Sequence, residues 1–290
     1  MTERKARGML IAATFVFGTL APFVRNIPLS SGALALCRAG MAALLVGVYL
    51  LVSGQRLSLR AMRREAALLL LSGMAMGVNW ILLFEAYRYT TVSAATLSYY
   101  FAPVLVTAAC PLLFRERLTR KQIVCFVMSA LGIVLITGVG ELCGGTDVLG
   151  ILFGLGAAVF YAAVILLNKS IRSVAGIQRT FLQFLAALLI LAPYVAATGG
   201  LTLGALDARG WVCLAVVGFF HTGVTYCLYF SALRELSGQE VALLSYIDPL
   251  VAVLISVTVL GEPITAAQLL GGALVLGFTL WNELPEKTGG

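Results

Sequence analysis

Charged residues are scarce in this chain. Only 11% of its 290 residues are Asp, Glu, Lys or Arg, against about 25% in soluble domains. Water is therefore not the solvent for most of its surface. Histidine occurs once, as His221. No HExxH, CxxC or GxSxG pattern is present, so metal and acyl chemistry lack their usual ligands and nucleophiles. A GxxxxGK[ST] loop is also missing, which removes ATP as a driving force. No cofactor and no metal are expected. Six cysteines (Cys37, Cys110, Cys125, Cys143, Cys213, Cys227) keep no ligand spacing, and only Cys143 falls outside an apolar stretch, so no disulfide framework follows.

What fills the chain instead is apolar sequence, 60% of all residues. Ten stretches approach the roughly 20 residues that a hydrocarbon core requires: 8–24, 32–53, 66–87, 92–114, 122–139, 148–168, 179–197, 210–232, 241–260 and 265–282. Short connections and two tails leave no room for a soluble catalytic domain. The first stretch, behind Arg4, Lys5 and Arg7, is long for a signal peptide and lacks a clear A-x-A site, so it is read as helix one.

The net charge of +7 is a topology signal rather than a nucleic-acid face. With the N-terminus inside, 16 of the 20 basic residues fall in inner segments and three, Arg25, Arg88 and Arg209, in outer ones. The positive-inside rule then places both termini in the cytoplasm of a multi-pass protein of the cytoplasmic membrane.

The chain also repeats itself at an offset of 146. From Gly77 to Gln122, 12 of 46 positions are identical to those 146 further on, among them Phe84 and Phe230, Tyr100 and Tyr246, Pro103 and Pro249, Glu116 and Glu262. Five spans separate the copies. An odd number makes the second copy enter the bilayer from the opposite side, an inverted repeat of halves 1–142 and 143–290. Gly73 and Gly77, and Gly150 and Gly154, stand four apart and offer close-packing faces. Gly218 and Gly223 are five apart and do not keep that spacing.

The doubled pattern carries a resemblance. Ala86-Tyr87-Arg88-Tyr89-Thr90, Pro103, Glu116-Arg117-Leu118-Thr119, Gln122 and Gly132 are followed in the second copy by Ala232-Leu233, Pro249, Gly261-Glu262-Pro263-Ile264, Gln268, Gly271 and Gly277. In this order the chain resembles the drug/metabolite transporter superfamily, in particular its ten-helix EamA-type members. The resemblance implies an all-α bundle with a central cavity, alternating access and a small organic solute, with efflux more usual than uptake. Arg115 and Arg117 flank Glu116 where Gly261 and Pro263 flank Glu262, a departure that leaves the two loops unequal in charge.

Several residues stand out as carriers of chemistry. Pro103 and Pro249 occupy matching mid-span positions and free the carbonyls of Tyr99 and Ser245, a pointer to a midplane site. Asp248 precedes Pro249 where an unpaired carboxylate is costly; it could bind an amine, carry a coupling proton, or be hydrogen-bonded within the bundle. Its counterpart is Ala102. Arg38 is the base deepest in a span and could hold a carboxylate or pair with Glu85 or Asp248; its counterpart is Phe184. Asn79, Trp80, Tyr99, Tyr100, Tyr226 and Tyr246 are the candidate cavity wall, with Tyr161 and Asn168 adding polar and aromatic surface. Glu85 and His221 join Asp248 as candidates for proton coupling. Glu116 and Glu262 close spans on opposite sides and are read as structural or gating residues. The expected function is secondary transport of a small polar metabolite, an amino acid or related amine, at a midplane cavity. Two alternatives are a lipid-linked carrier or flippase, and a membrane-embedded enzyme using Asp248 and His221 as acid and base.

Overall fold

The computed structural model describes residues 2–54, 59–114, 119–137, 146–171, 173–174, 176–233, 235–236, 241 and 244–284. Glu116, Arg115, Arg117, Cys143, Arg234 and Leu243 lie outside the described residues. Every regular element described is helical. Seven helical segments among these residues are long and apolar enough to cross a membrane: Glu3–Arg25, Ser31–Val52, Arg63–Tyr89, Val92–Ala109, Asp147–Asn168, Gly176–Ala197 and Ala208–Ala232. The three remaining stretches named from the sequence fall on other described helices. These are α7 (Arg120–Thr137), α12 (Ile247–Thr258) and α13 (Ala266–Glu283).

Two of the long segments are broken within the span. The first divides into α1 (Glu3–Gly18) and α2 (Leu20–Arg25). Pro22 cannot donate to the carbonyl four residues back, which is that of Gly18, and at the break the Thr19 hydroxyl donates to the Val16 carbonyl at 2.8 Å. The fourth divides into α5 (Val92–Tyr99) and α6 (Ala102–Phe114), with Tyr100 and Phe101 in a turn ahead of Pro103. In the second half Tyr246 makes the same kind of turn ahead of Pro249, just before α12. Both prolines thus interrupt their helices at repeat-related positions.

The remaining long helices are α3 (Ser31–Val52), α4 (Leu59–Tyr89), α8 (Thr146–Ser170) and α9 (Gly176–Ala197). A composite helix follows, α10 (Ala208–Ala215), a π-helical stretch Val216–Val224 and α11 (Thr225–Leu233). Contacts cross between halves in a reciprocal way. Helix α4 packs on α8 and α9, while its repeat counterpart, the composite helix, packs on α1 and α3. Helix α8 packs on α5 and α6; its counterpart α1 packs on α12. Helices α7 and α13 pair with each other, and Gly132 and Gly271 meet there so closely that a Cβ on either would lie 2.6 or 2.5 Å from the other's carbonyl oxygen.

The π-helical stretch resolves the glycine spacing that the sequence left unmatched. In a π-helix the backbone bonds residues five apart, and the side-chain hydroxyls of Thr222 and Thr225 also donate to the carbonyls five residues back, at 2.8 and 2.7 Å. Gly218 and Gly223 therefore both face α3, against Met41 and Leu45. Gly77 meets Leu191 of α9, and adding 146 to Gly77 and Leu45 gives Gly223 and Leu191, the same contact in the other half.

Outward faces carry apolar stripes at helical period: Leu44, Val48 and Leu51 on α3, Val127, Leu131 and Val134 on α7, and Leu250, Leu254 and Val257 on α12. Exposed apolar faces of this kind suit hydrocarbon as solvent. Polar side chains are turned inward; Ser72, Asn79, Gln183, His221 and Thr222 are all buried.

Candidate functional site

The helix breaks converge on one region. Gly18, at the end of α1, lies so near the Asp248 carbonyl that a Cβ there would be 2.6 Å away. The broken α1 thus lets the start of α12 approach the bundle axis. Around it the structure holds a cavity in three adjoining lobes of ≈ 340, 210 and 120 Å³, all of which share Tyr99, Tyr100 and Tyr161. Tyr99 stacks on Tyr161 with centroids 5.1 Å apart and meets Tyr100 edge-on at 5.7 Å.

Asp248 and Arg38 both line the smallest lobe. Asp248 Oδ2 accepts a 2.6 Å hydrogen bond from the Tyr100 hydroxyl. Arg38 donates from Nε to Thr222 Oγ1 at 2.7 Å, and its guanidinium lies 4.6 Å from the Trp80 ring centre and 5.6 Å from that of Phe84. A desolvated cation over an aromatic face gains about 2 kcal/mol, which helps to hold Arg38 in place without a carboxylate. Asp248 and Arg38 make no ion pair with each other. Among the described residues, no group bonds Asp248 Oδ1 or the two terminal nitrogens of Arg38. A carboxyl and a guanidinium group thus line one lobe with bonding capacity left over.

The other expected wall residues gather here too. Asn79, Trp80, Tyr99, Tyr100 and Tyr226 line the largest lobe with Asp248, and Tyr246 and Pro103 line the lobe beneath Tyr100. Asn79 is partly committed, since its Nδ2 donates to the Ala157 carbonyl of α8 at 2.7 Å. Tyr226 packs edge-on against Phe17 and Phe184 at 5.3 and 5.5 Å. Pro249 is buried in the first turn of α12. Glu85 and His221 are not in the wall. Glu85 pairs with Arg88 one turn on, at 3.1 Å. His221 is buried against Phe23 and Phe220, with its ring nitrogens 3.1 Å from Thr19 Oγ1 and 3.3 Å from the Val216 carbonyl. Sequence reasoning missed Thr222, Tyr229 and Phe17. Thr222 was legible only as one of several threonines in an apolar run, because its partner stands 184 positions away.

The cavity extends toward one end of the bundle. Its largest lobe runs from Asp248 to Arg179 and Thr180 in the first turns of α9. At the opposite end Glu262 forms a clasp. Its carboxylate pairs with Arg25, accepts from the Ser256 hydroxyl, and accepts from the Val92 amide at the start of α5 at 2.8 Å. Arg25 also reaches the Tyr87 carbonyl at 3.4 Å, and the Ser93 amide donates to Ser256 Oγ at 3.3 Å. One buried carboxylate therefore joins the ends of α2 and α12 and the loop before α13 to the N-terminus of α5, where an anion is favoured.

The EamA-like transporter family model matches the chain twice in tandem, over residues 5–138 and 148–282. The chain belongs to the EamA-like transporter family. Curated relatives agree: an uncharacterized transporter of Bacillus subtilis (strain 168), YxxF, is 30% identical over 271 residues, covering 92% of this chain and 85% of that one. An uncharacterized transporter of Archaeoglobus fulgidus is 30% identical over 202 residues, 68% of this chain and 70% of its own length. A crystal structure with 16% sequence identity shares the fold at a TM-score of 0.65 over 94% of this chain and 95% of that one. This EamA-like protein is thus a multi-pass transporter-family protein of the cytoplasmic membrane, and its helices match that setting.

Proposed function

We propose that this EamA-like protein is a secondary transporter that carries a small zwitterionic metabolite, an amino acid or related amine, across the cytoplasmic membrane by alternating access. The observation that carries this reading is the pair of unmatched charges, Asp248 and Arg38, on one cavity wall. A zwitterion satisfies both at once: its ammonium meets Asp248 and its carboxylate meets the guanidinium fork, while the tyrosines supply apolar contact. Within the bilayer such charges are expensive unless partnered, and a polar substrate path is their usual reason.

Ten spans in two inverted halves, 1–142 and 143–290 with both termini cytoplasmic, are the architecture of this reading. The tandem family match, the coincident helix breaks and the reciprocal contacts between halves support it. With basic residues inside, the Arg179 end of the cavity faces the cytoplasm and the Glu262 clasp seals the outer end. That arrangement suits loading from inside, as export requires. Asp248 is then also the group placed to carry a coupling proton, since Glu85 and His221 lie away from the cavity. The same separation of His221 from Asp248 argues for a carrier over an acid–base enzyme.

One observation favours a second reading. An apolar groove of ≈ 380 Å³ between α12 and α13, lined by Leu250, Val253 and Leu276, shares Tyr246 with the central cavity. A lipid-linked solute could lay its chain there. Counterflow in proteoliposomes separates the two. Exchange driven by water-soluble amino acids and not by sugars or nucleosides supports the first; exchange only with acyl-chain amines supports the second and overturns the first.

A further inference from the structure

Three polar side chains from three helices meet beside the largest lobe, where Gln183 and Asn168 line it. Gln183 of α9 donates its Nε2 to Ser72 Oγ of α4 at 2.6 Å and to Asn168 Oδ1 of α8 at 2.7 Å. Ser72 Oγ donates to the same Asn168 oxygen at 3.3 Å. In this arrangement each amide has one end committed to the network. The nitrogen of Gln183 and the oxygen of Asn168 are spent, leaving one acceptor, Gln183 Oε1, and one donor group, Asn168 Nδ2. Among the described residues no group bonds either atom, although Gln183 is only 3% exposed. Both side chains line the lobe that holds Asp248.

The repeat supplies an internal control. Gln183 and Asn168 correspond to Cys37 and Pro22, and Ser72 to Gly218. The matching positions there carry no side-chain amide or hydroxyl, and Gly218 rests on Met41 of α3. The fold itself therefore does not require the cluster. Arg179 braces it at the mouth, donating to the carbonyls of Val174 and Asn168 at 3.0 and 3.2 Å.

We infer that Gln183 and Asn168, set by Ser72, form a second subsite that recognises a neutral hydrogen-bonding group on the solute. The inference rests on the zwitterion reading and narrows it to amino acids with carboxamide or hydroxyl side chains. A carboxamide fits the pair reciprocally: its N–H donates to Gln183 Oε1 and its carbonyl accepts from Asn168 Nδ2. A site whose buried polar groups are satisfied by the substrate rejects analogues that leave them unpaired, far more strongly than an apolar pocket rejects a methylene.

The test is competitive counterflow in proteoliposomes with L-glutamine, L-asparagine and L-serine set against L-norleucine. The wild type is expected to favour its best polar substrate over norleucine by about tenfold or more. Gln183→Met, which keeps length and removes the amide, should bring the two within about threefold, mainly by losing the polar substrate. Ser72→Ala, a milder change that frees the Gln183 amide to turn, should fall between. Wild-type transport of polar and apolar substrates alike, or a preference unchanged in both variants, overturns the subsite and leaves the zwitterion site standing. Failure of the wild type to move any of the four overturns the zwitterion site, and the subsite with it.

Discussion

Replacing Asp248 by Asn separates charge from shape at the centre of the cavity. Asparagine keeps the side-chain volume and can still accept the Tyr100 hydroxyl bond, which is 2.6 Å in the wild type, but it cannot compensate an ammonium. A hydrogen bond to a charged group contributes about 1.5–3 kcal/mol, and each 1.4 kcal/mol is tenfold in affinity. Affinity for a zwitterionic substrate should therefore fall about 10- to 100-fold. Folding should not suffer, because removing one buried charge relieves its desolvation. The two effects are read on one sample of purified protein, by equilibrium binding of the substrate and by thermal unfolding without it. An Asn variant that binds zwitterions as tightly as the wild type would refute the assignment of the ammonium to Asp248. A variant that unfolds many degrees lower would instead make Asp248 a structural carboxylate.

Three further outcomes follow from the same geometry. Thr222→Val removes the 2.7 Å partner of Arg38 Nε and leaves a buried charged donor open; a loss of about 1–3 kcal/mol in stability or substrate affinity is expected, measured by thermal unfolding and binding. Glu262→Gln keeps the size of the clasp and removes its ion pair with Arg25; a cysteine placed at Ser93 should then react faster with a membrane-impermeant thiol reagent, and an unchanged rate would remove Glu262 from gating. Gly132→Val drives a side chain into the Gly271 carbonyl, 2.6 Å from the position of its Cβ; overpacking of this kind costs about 1–3 kcal/mol and should lower the unfolding temperature in detergent without altering substrate selectivity.

Much of this arrangement was legible in the chain because it rests on local or repeated features. The offset that superposes Pro103 on Pro249 also superposes α7 on α13 and pairs Gly77 with Gly223. Charges within apolar stretches, Asp248 and Arg38, were visible by their cost alone, and the structure gives both a place on one cavity wall. What escaped was set by contacts between distant segments. Thr222 is special only because α3 brings Arg38 to it, and the five-residue spacing of Gly218 and Gly223 gained meaning only through π-helical winding. Glu262 was marked by the repeat, yet its partners Arg25 and Val92 lie in other helices and no spacing rule connects them. His221 attracted notice by its rarity, and packing placed it against Thr19 and Phe23 instead of the cavity.

In the proposed transport cycle, Asp248 and Arg38 hold the two ends of a zwitterion from one cavity wall. The most direct measurement compares three ligands with the same side chain on purified wild-type protein: the amino acid, the amine lacking its carboxylate, and the acid lacking its amine. The account predicts that the amino acid binds about tenfold or more tightly than either analogue, since each forfeits one charge-assisted contact. Equal binding of either single-charge analogue would contradict it.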